Sequence, residues 1–466
     1  MNQTIVLNVV GLTPALLEHA PNLKALAQRG GVRPLATVTP AVTTTVQSTF
    51  VTGELPRGHG IVANGWYFRD LSEVWLWRQS NRLVQGEKLW DAARRRDSAF
   101  TCAKLFWWYN MYSSADIAVT PRPMYPADGR KLPDIYTHPA GLRDELQGAL
   151  GQFPLFRFWG PAADITSTRW IGRCALRVFE QQRPSLTLVY LPHLDYNLQR
   201  LGPAHPDIAR DVAPVDEVCG ELIEAAQRAG AQAVVLSEYG ITAVSNPVHI
   251  NRALRQAGWL RVREELGREL LDAGASDAFA VADHQIAHVY VARPELVGEV
   301  ARVLSALPGV ERVLDEQGKR AAGLDHPRSG ELVAISRADS WFTYYYFLDQ
   351  ARAPDFARTV DIHRKPGYDP VELFIDPQLT LPKLRIAWRL AQKVLGMRYM
   401  MDVISLDATL VKGSHGRPTD RAEDGPLFIS SMPELLGEGP VAATDVKRLL
   451  LDHVFAQARN AKRMAA

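Results

Sequence analysis

Apolar runs of strand length recur along the chain, and each closes in a polar cluster before a helical pattern begins. The clearest runs cover residues 4–10, 185–191 and 232–236. Between the last two runs, apolar residues recur at the spacing of one helix face, at Val212, Val215, Val218, Leu222 and Ala226. Strands that alternate with helices in this way are typical of a parallel sheet covered on both faces. The pattern therefore predicts an α/β fold with a mostly parallel central sheet flanked by helices.

Start and stop signals mark helices near both ends of the chain. The segment PNLKALAQRGG opens with Pro21 in a first-turn position and closes at Gly30 and Gly31, as helices commonly do. From about Pro433 onward, the tail predicts a closing helix whose basic end suits the helix dipole.

Aromatic residues are concentrated in two places. The stretch 66–170 holds eight of the eleven tryptophans and the cluster LFWWYNMY at 105–112, and a second cluster, SWFTYYYFLD, spans 340–349. The clusters either face each other across a pocket or belong to the ordinary core, since large aromatic groups bury much area wherever they lie. We expect one domain over residues 1–466, with aromatic-rich insertions at 66–170 and 260–400.

Composition narrows the class of protein. The chain has 466 residues, of which 47% are hydrophobic and 22% charged, so it can bury a large core. Its 53 Lys and Arg against 51 Asp and Glu give a net charge of +2, which argues against binding a nucleic-acid duplex by bulk electrostatics. Three widely spaced cysteines exclude a disulfide framework and a Cys-rich metal finger.

The sequence carries no evident targeting or membrane signal. The first residues, MNQTIVLNVVGL, lack the basic start and long apolar stretch of a secretory signal. No window approaches the ~18 to 20 apolar residues of a membrane span. We therefore expect a cytoplasmic protein that acts on a small molecule and binds neither a membrane nor a nucleic-acid duplex. The oligomeric state stays open.

Polar residues close three of the predicted strands, at the edge where open α/β sheets bind ligands. Asn8 lies at the end of the first strand, Asp195 follows the second, and Glu238 and Tyr239 follow the third. Two acids at neighbouring strand ends can converge on one cation, because each alone would be costly to bury. Alternatively, these acids cap helices or lie in solvated loops.

Three consecutive threonines supply a candidate nucleophile. Thr43, Thr44 and Thr45 precede a helical pattern that stops at Gly53. A hydroxyl at a helix N-terminus lies where free backbone N–H groups and the dipole favour anions, so it could attack a phosphoryl group bound there. The alternative is that the threonines only cap the helix.

Several histidines are candidates for metal ligation. His415 lies between glycines in GSHGRP, where the loop could approach a metal closely, or is simply exposed. Asp283 with His284, and Asp361 with His363, are pairs compatible with ligation and equally with a salt-bridged surface. The residues alone do not choose among these pairs.

The segment TPAVTTTVQSTFVTGELPRGHGIVANGWY resembles a long motif of the alkaline phosphatase superfamily, in particular its type I nucleotide pyrophosphatase/phosphodiesterase branch, near phosphonoacetate hydrolase. In that branch a threonine nucleophile precedes a helix ending in VTG, and an Asn after the HGI sequence holds a phosphate oxygen. The resemblance implies that Thr43 is the nucleophile and that Asn64 binds the phosphate. It also implies an alkaline phosphatase-like fold.

The same resemblance places two pairs of metal ligands on residues that differ from the family pattern. The family's Asp-x-x-x-His corresponds to Asp195 and Gln199, which keeps the acid and loses the imidazole. Its Asp-His pair corresponds to Glu238 and Tyr239, which keeps a carboxylate and loses another imidazole. We expect Tyr239 to contact the substrate instead of a metal.

The remaining family ligands divide in the same way. The Asp-Gly after the first strand becomes Val10-Gly11, so Asn8, on the same strand face, could serve as a neutral ligand, while the final histidine is kept as His415. The predicted metal ligands are Asp195, Glu238, His415, Gln199, Asn8 and His363. The cofactor implied is a divalent metal, either Zn²⁺ or, because this set is rich in oxygen, Mn²⁺ or Mg²⁺. His193, His284 or His363 could also replace missing ligands.

The function implied is a metal-assisted hydrolase that cleaves a phosphodiester, pyrophosphate or related phosphate or phosphonate bond through Thr43. The aromatic residues 106–109, if they line the cleft, could stack on a base or apolar leaving group. Two alternatives stay open: a binding protein that kept the fold and lost the chemistry, and a phosphomutase-like transferase. The motifs specify neither the substrate nor a preference between monoesters and diesters.

Overall fold

A computed structural model describes the backbone of residues 1–464 and the side chains of residues 1–456. The strands of the described chain are β1 Thr4–Val9, β2 Gly31–Ala36, β3 Gly65–Phe68, β4 Glu73–Leu76, β5 Cys102–Leu105, β6 Ile117–Pro121, β7 Ile135–His138, β8 Leu186–Leu191, β9 Gln232–Leu236, β10 Thr242–Ala243, β11 Asn246–Val248, β12 Arg261–Glu265, β13 Arg268–Asp272, β14 Ala278–Asp283, β15 Ile286–Val291, β16 Val310–Leu314, β17 Leu332–Ser336, β18 Ser340–Phe342, β19 Gly413–Ser414, β20 Leu427–Ser430 and β21 Val441–Ala442.

The helices of the same residues are α1 Pro14–Leu17, α2 Pro21–Arg29, α3 Thr43–Thr52, α4 Pro56–His59, α5 Leu89–Arg96, α6 Leu142–Leu150, α7 Ile165–Gln182, α8 His193–Leu201, α9 Asp207–Arg228, α10 Ile250–Gln256, α11 Val297–Ser305, α12 Glu316–Ala321, α13 Pro382–Val394 and α14 Val446–Met464. The predicted helices from Pro21 and near the C-terminus are α2 and α14. The last two residues of the predicted closing helix lie outside the described residues.

A nine-stranded sheet forms the centre of the fold, in the order β21-β2-β20-β9-β1-β8-β5-β6-β7. Its five middle strands, β9 to β6, are parallel, whereas β20 and β7 run antiparallel to their neighbours. Every residue of β1 and β8 is buried, because helices cover both faces of the sheet. The predicted α/β fold with a mostly parallel central sheet is confirmed.

The alternation of side chains divides the core into two layers. Along β1, Ile5, Leu7 and Val9 pack in one hydrophobic cluster and Val6 in another, on the opposite face. The predicted crossover between the second and third apolar runs is α9, which packs on α7 and returns the chain from β8 to β9. The carboxyl ends of β1, β8 and β9 therefore meet at one edge.

A second, antiparallel sheet in the order β14-β15-β17-β16 lies within residues 278–336. Its core contains the aromatic residues Tyr344, Tyr345, Tyr346 and Phe347, all at most 1% exposed. The second aromatic cluster is therefore ordinary core, because its rings are closed off from solvent. Whether residues 66–170 and 260–400 are insertions into one domain stays a prediction. Among the described residues, no helix is long and apolar enough to cross a membrane.

Candidate active site

Thr43 is the first residue of α3 and lies at the carboxyl edge of the central sheet. The chain enters the helix through Val42 in an extended conformation and leaves it at Gly53, whose φ of 73° is left-handed. The Thr43 hydroxyl is 3.0 Å from the hydroxyl of Tyr239, which follows β9 by three residues. The helix start and the strand end that the sequence singled out therefore meet.

A chain of hydrogen bonds runs onward from Tyr239. Its hydroxyl donates to Asp195 Oδ1 at 3.3 Å, and Gln199 Nε2 donates to Asp195 Oδ2 at 2.8 Å. Gln199 lies one turn after Asp195 on α8, which brings the two side chains to one helix face. Burial raises the pKa of Asp195 to about 7, against the hydrogen bonds from Gln199 and Tyr239 that favour its charged form.

Glu238 lies on the other side of Thr43 and accepts two amide donors. Asn8 Nδ2 is 2.5 Å and Gln47 Nε2 is 2.6 Å from its Oε1. Burial raises the pKa of Glu238 to about 8, while hydrogen bonds from Gln47 and Asn8 lower it. Gln47 also accepts from the backbone N–H of Trp108 at 2.7 Å. Gln47 was missed in the sequence, although its place four residues after Thr43 puts both on one face of α3.

A stack of rings closes the far side of the site. The His415 ring lies 3.6 Å from the Tyr239 ring, nearly parallel to it, and 3.7 Å from the His284 ring, which in turn stacks on Tyr368 at 3.6 Å. Burial holds the pKa of both histidines well below the usual value, and His284 lowers that of His415 further. Both imidazoles are therefore neutral. His415 Nδ1 faces the carbonyl of Ala41 at 2.8 Å.

Gly416 allows this stack to form. Its φ of 112° is rarely open to side chains, and a Cβ there would lie 3.1 Å from the backbone N of Gln285 and 3.5 Å from Cβ of His284. The loop carrying His415 therefore passes directly over the turn between β14 and β15. That contact brings His284 to the site. From the sequence, His284 was one of three histidines that could replace missing metal ligands.

Asn64 is held by the protein through three hydrogen bonds. Its Oδ1 accepts from the backbone N–H of Thr44 at 3.0 Å, and its Nδ2 donates to Asp283 Oδ1 at 3.1 Å. Asp283 Oδ2 also accepts from the Asn64 backbone N–H at 2.7 Å. Asn64 therefore ties the start of α3 to the β14–β15 turn. The role of Asn64 in binding phosphate stays a prediction.

Two predicted or alternative metal ligands lie elsewhere. His363 faces the carbonyl of Leu76 at 3.4 Å, and His193 pairs with Asp211 at 2.9 Å. Each ring therefore has its partner on another element, and neither shares a hydrogen bond with Thr43, Asp195 or Glu238 among the described residues. His284 differs from both because the β14–β15 turn carries it in.

The donor set does not fit a two-zinc centre. Within the described residues, no group of three or more His, Cys, Asp or Glu side chains is arranged to hold a metal ion. The hydroxyl of Tyr239 lies between Thr43 and Asp195, and amide N–H groups face Glu238 Oε1. Asn8 Oδ1 and Glu238 Oε2, however, are buried and make no hydrogen bond in the described chain. Oxygen atoms of this kind suit one hard cation, Mg²⁺ or Mn²⁺, better than Zn²⁺.

A partly exposed group of aromatic rings borders the site. Trp77 lies 4.8 Å from Trp108 and 6.0 Å from Tyr368, and Trp159 lies 5.7 Å from Tyr368. Tyr368 donates to Gln199 Oε1 at 3.0 Å, which links these rings to the Asp195 chain. Of residues 106–109, which were expected to stack on a ligand if they line the cleft, Phe106, Trp107 and Tyr109 are at most 2% exposed and pack in three separate core clusters. Trp108 is partly exposed and lies at this border.

The family model for type I phosphodiesterase/nucleotide pyrophosphatase matches residues 4–369 of the chain. No curated protein sequence matches the chain. The family match covers the Thr43 segment and the strand ends that surround it, as well as the β14–β15 turn.

Solved structures share the whole fold at low sequence identity. Phosphonoacetate hydrolase from Sinorhizobium meliloti, in complex with phosphonoformate, is 16% identical with a TM-score of 0.62, and the alignment covers 97% of this chain and 96% of that one. An inactive variant of murine ectonucleotide pyrophosphatase/phosphodiesterase 5, in complex with AMP, is 14% identical with a TM-score of 0.59 over 97% and 95% of the two chains. At these identities the likeness establishes the fold.

Proposed function

The chain belongs to the type I phosphodiesterase/nucleotide pyrophosphatase family of the alkaline phosphatase superfamily, a family of hydrolases, and on this basis we propose that it cleaves small phosphate or phosphonate esters with Thr43 as the nucleophile. The observation that carries the proposal is the hydrogen-bonded chain from Thr43 through Tyr239 to Asp195. A threonine hydroxyl is a weak nucleophile until a base takes its proton. Here Tyr239, the hydrogen-bond partner of the Thr43 hydroxyl, connects it to the carboxylate of Asp195, which can act as that base.

The proton follows that chain. As Thr43 Oγ1 attacks phosphorus, its proton passes to the Tyr239 oxygen while the Tyr239 proton passes to Asp195. The bond from phosphorus to the leaving oxygen breaks, and that oxygen takes a proton from solvent, so the group departs as an alcohol or phenol. Water then attacks the phosphoryl-threonine from the side of the departed group and gives up one proton to solvent. As the bond from phosphorus to Thr43 Oγ1 breaks, Asp195 returns its proton through Tyr239 to that oxygen, which releases the phosphate product and restores the Thr43 hydroxyl and the Asp195 carboxylate. Gln199 holds the Asp195 carboxylate in place at 2.8 Å.

Residues on the opposite side of Thr43 are placed to stabilise negative charge on the phosphoryl oxygens. Asn64 Nδ2 gives one N–H to Asp283, and its second N–H is the donor we assign to a phosphoryl oxygen. A divalent cation, if bound, would be held by Glu238 Oε2 and Asn8 Oδ1 and would supply Lewis-acid polarisation of a phosphoryl oxygen. The buried Glu238 carboxylate needs either a proton or such a cation, because an unpaired buried charge is costly.

The aromatic border supports an ester with a flat or apolar leaving group. Trp77, Trp108 and Trp159 are each only partly buried. The rings of Trp77 and Trp159 contact Tyr368 beside the Asp195 chain, and Trp108 packs on Trp77. Exposed rings offer a surface on which a nucleobase or another aromatic group can stack.

Turnover of chromogenic esters tests the proposal. Purified protein is assayed with bis- and mono-p-nitrophenyl phosphate in the presence of Mg²⁺, Mn²⁺ or Zn²⁺, or without added cation. We expect release of p-nitrophenol that falls roughly 100-fold or more in Thr43→Ala. Thr43→Ser keeps a hydroxyl in the same place and is the matched control, which should retain most of the turnover.

Three results would overturn the proposal. Retained turnover in a folded Thr43→Ala variant would show that another group is the nucleophile. Absence of turnover with every cation, in a protein that still binds AMP or phosphate by calorimetry, would show a binding protein on this fold. Transfer of phosphate to an added alcohol in preference to water would instead indicate a transferase.

A further inference from the structure

Helix α13 exposes apolar side chains to solvent, unlike an ordinary surface helix. Its apolar residues Leu384, Trp388, Leu390 and Val394 face solvent, with Trp388 57% and Val394 86% exposed. No residue of α13 is buried. A helix at the surface of a globular protein normally turns its apolar stripe toward the core. The outward stripe of α13 is therefore a candidate surface for a binding partner.

The polar face of the same helix holds it in this orientation. Arg385 and Arg389 both pair with Asp402, the latter at 3.0 Å, and Ile386 packs against the second core cluster. Residues on two successive turns therefore attach the inner face to the protein. With the inner face attached in this way, the apolar stripe lies on the outer face of the helix.

The exposed stripe continues beyond the helix. Leu395, Met397 and Met400 follow it, and Leu381 precedes it, all at least 40% exposed. Phe156, on a neighbouring segment, is 51% exposed and lies 5.5 Å from the Lys393 ammonium. We call this surface, from Leu381 to Met400 together with Phe156, the α13 patch. Contiguous exposed apolar surfaces of this kind mark binding sites.

The positive charge around the α13 patch indicates which kind of partner can bind there. Residues 377–401 contain five basic residues and no Asp or Glu. Arg385 and Arg389 share the one carboxylate of Asp402, and Lys383, Lys393 and Arg398 add three further positive charges beside the stripe. A second copy of the chain would bring the same cations against these, which is unfavourable. Anionic headgroups over an apolar interior complement both features.

We propose that the α13 patch binds the surface of an anionic lipid bilayer, with the helix lying in the plane of the interface. Trp388 and the leucines would enter the headgroup boundary, where an aromatic ring with one polar edge is favoured. Lys383, Lys393 and Arg398 would contact lipid phosphates. The protein then lies on the membrane without crossing it, in contrast to the expectation from the sequence that no membrane is bound.

Vesicle flotation with the full chain tests this inference. We expect binding to vesicles of phosphatidylcholine that contain about 30% phosphatidylglycerol, and little binding to vesicles of phosphatidylcholine alone. Trp388→Glu should weaken binding roughly tenfold or more, because an apolar side chain no longer enters the interface. Replacing Lys383, Lys393 and Arg398 by Gln should weaken it about fivefold for each charge.

Leu266→Glu is the matched control, since Leu266 is fully exposed on the β12–β13 turn, outside the α13 patch. This variant should bind vesicles like the parent. Equal binding to neutral and anionic vesicles, or binding unchanged by Trp388→Glu, would overturn the proposal. So would a dimer in light scattering that Trp388→Glu converts to a monomer while no form binds vesicles, because the patch would then join two copies. Circular dichroism of each variant checks that it folds.

Discussion

Removing the hydroxyl of Tyr239 tests the connection on which the proposed chemistry depends. That oxygen contacts Thr43 at 3.0 Å and donates to Asp195 at 3.3 Å, and the Tyr239 ring stacks on His415. Tyr239→Phe keeps the ring and removes only the oxygen. The variant therefore separates the proton path from the packing of the site.

The expected losses of stability and activity follow from the hydrogen bonds that Tyr239→Phe removes. Two buried hydrogen bonds are lost, at roughly 1 kcal/mol each, and Asp195 loses one of its donors, so we expect a loss of about 2 to 3 kcal/mol in the free energy of unfolding. Activity should fall further, by about 100-fold to 10,000-fold in kcat, the range of a missing proton-transfer group. KM should change little, because Tyr239 lies on the proton path and not on the aromatic border.

The assay is p-nitrophenyl ester turnover together with urea unfolding. Tyr344→Phe is the matched control, because the Tyr344 hydroxyl is equally buried but makes no hydrogen bond in the described chain. That variant should be nearly neutral in both measurements. Unchanged kcat in Tyr239→Phe would refute the proton path. Equal losses of kcat and of stability in Tyr239→Phe and Tyr344→Phe would show that the loss comes from altered core packing.

Acid stability and one glycine give further tests. Burial lowers the pKa of His288 to about 4 and that of His59 to about 3. Since the unfolded chain binds these protons first, the stability that each neutral histidine contributes is full above a pH of about 6.5 and is lost toward a pH of about 4, by about 3 kcal/mol for His288. The raised pKa values of Asp195 and Glu238 act in the opposite direction, so the test compares urea midpoints of the parent and of His288→Gln from neutral pH into the acid range. The parent should lose stability relative to the variant as the pH falls, and parallel curves would contradict this. Gly416→Ala should cost about 1 to 3 kcal/mol and lower turnover, because its Cβ would crowd the β14–β15 turn. Gly439→Ala, also left-handed but with nothing within 4 Å, should cost less and leave turnover unchanged; equal costs would contradict the role of the contact.

The central sheet was predictable because its signal is local. β1, β8 and β9 are continuous apolar runs, and α9 carries the helical spacing between two of them. The α3 segment was also predictable, from its threonines and its closing Gly53. Each of these features depends on neighbours within about one element.

The composition of the site was harder to predict because it depends on distant contacts. His284 reaches His415 only because two turns that lie far apart in the chain cross at Gly416. Tyr368 reaches Gln199 from a loop with no regular pattern. Spacing likewise offered His363 as readily as His284, and only the packing distinguishes them.

The orientation of α13 illustrates a different limit. Its sequence has the periodicity of an amphipathic helix, and periodicity alone predicts that the apolar stripe is buried. In the structure Arg385 and Arg389 pair with Asp402 on the inner face, and the apolar stripe lies outside. An ion pair between a helix and a loop beyond its end is not visible in a hydrophobic pattern, so the exposed face emerged only from the structure.

The most direct test of the central claim is to trap the covalent intermediate. The protein is mixed with a phosphate monoester, quenched in acid within the first turnover, digested and analysed by mass spectrometry. We expect a phosphoryl group on Thr43, moved to the new hydroxyl in Thr43→Ser and absent in Thr43→Ala. A phosphoryl group on another residue, or steady turnover with no adduct on Thr43 at any quench time, would contradict it.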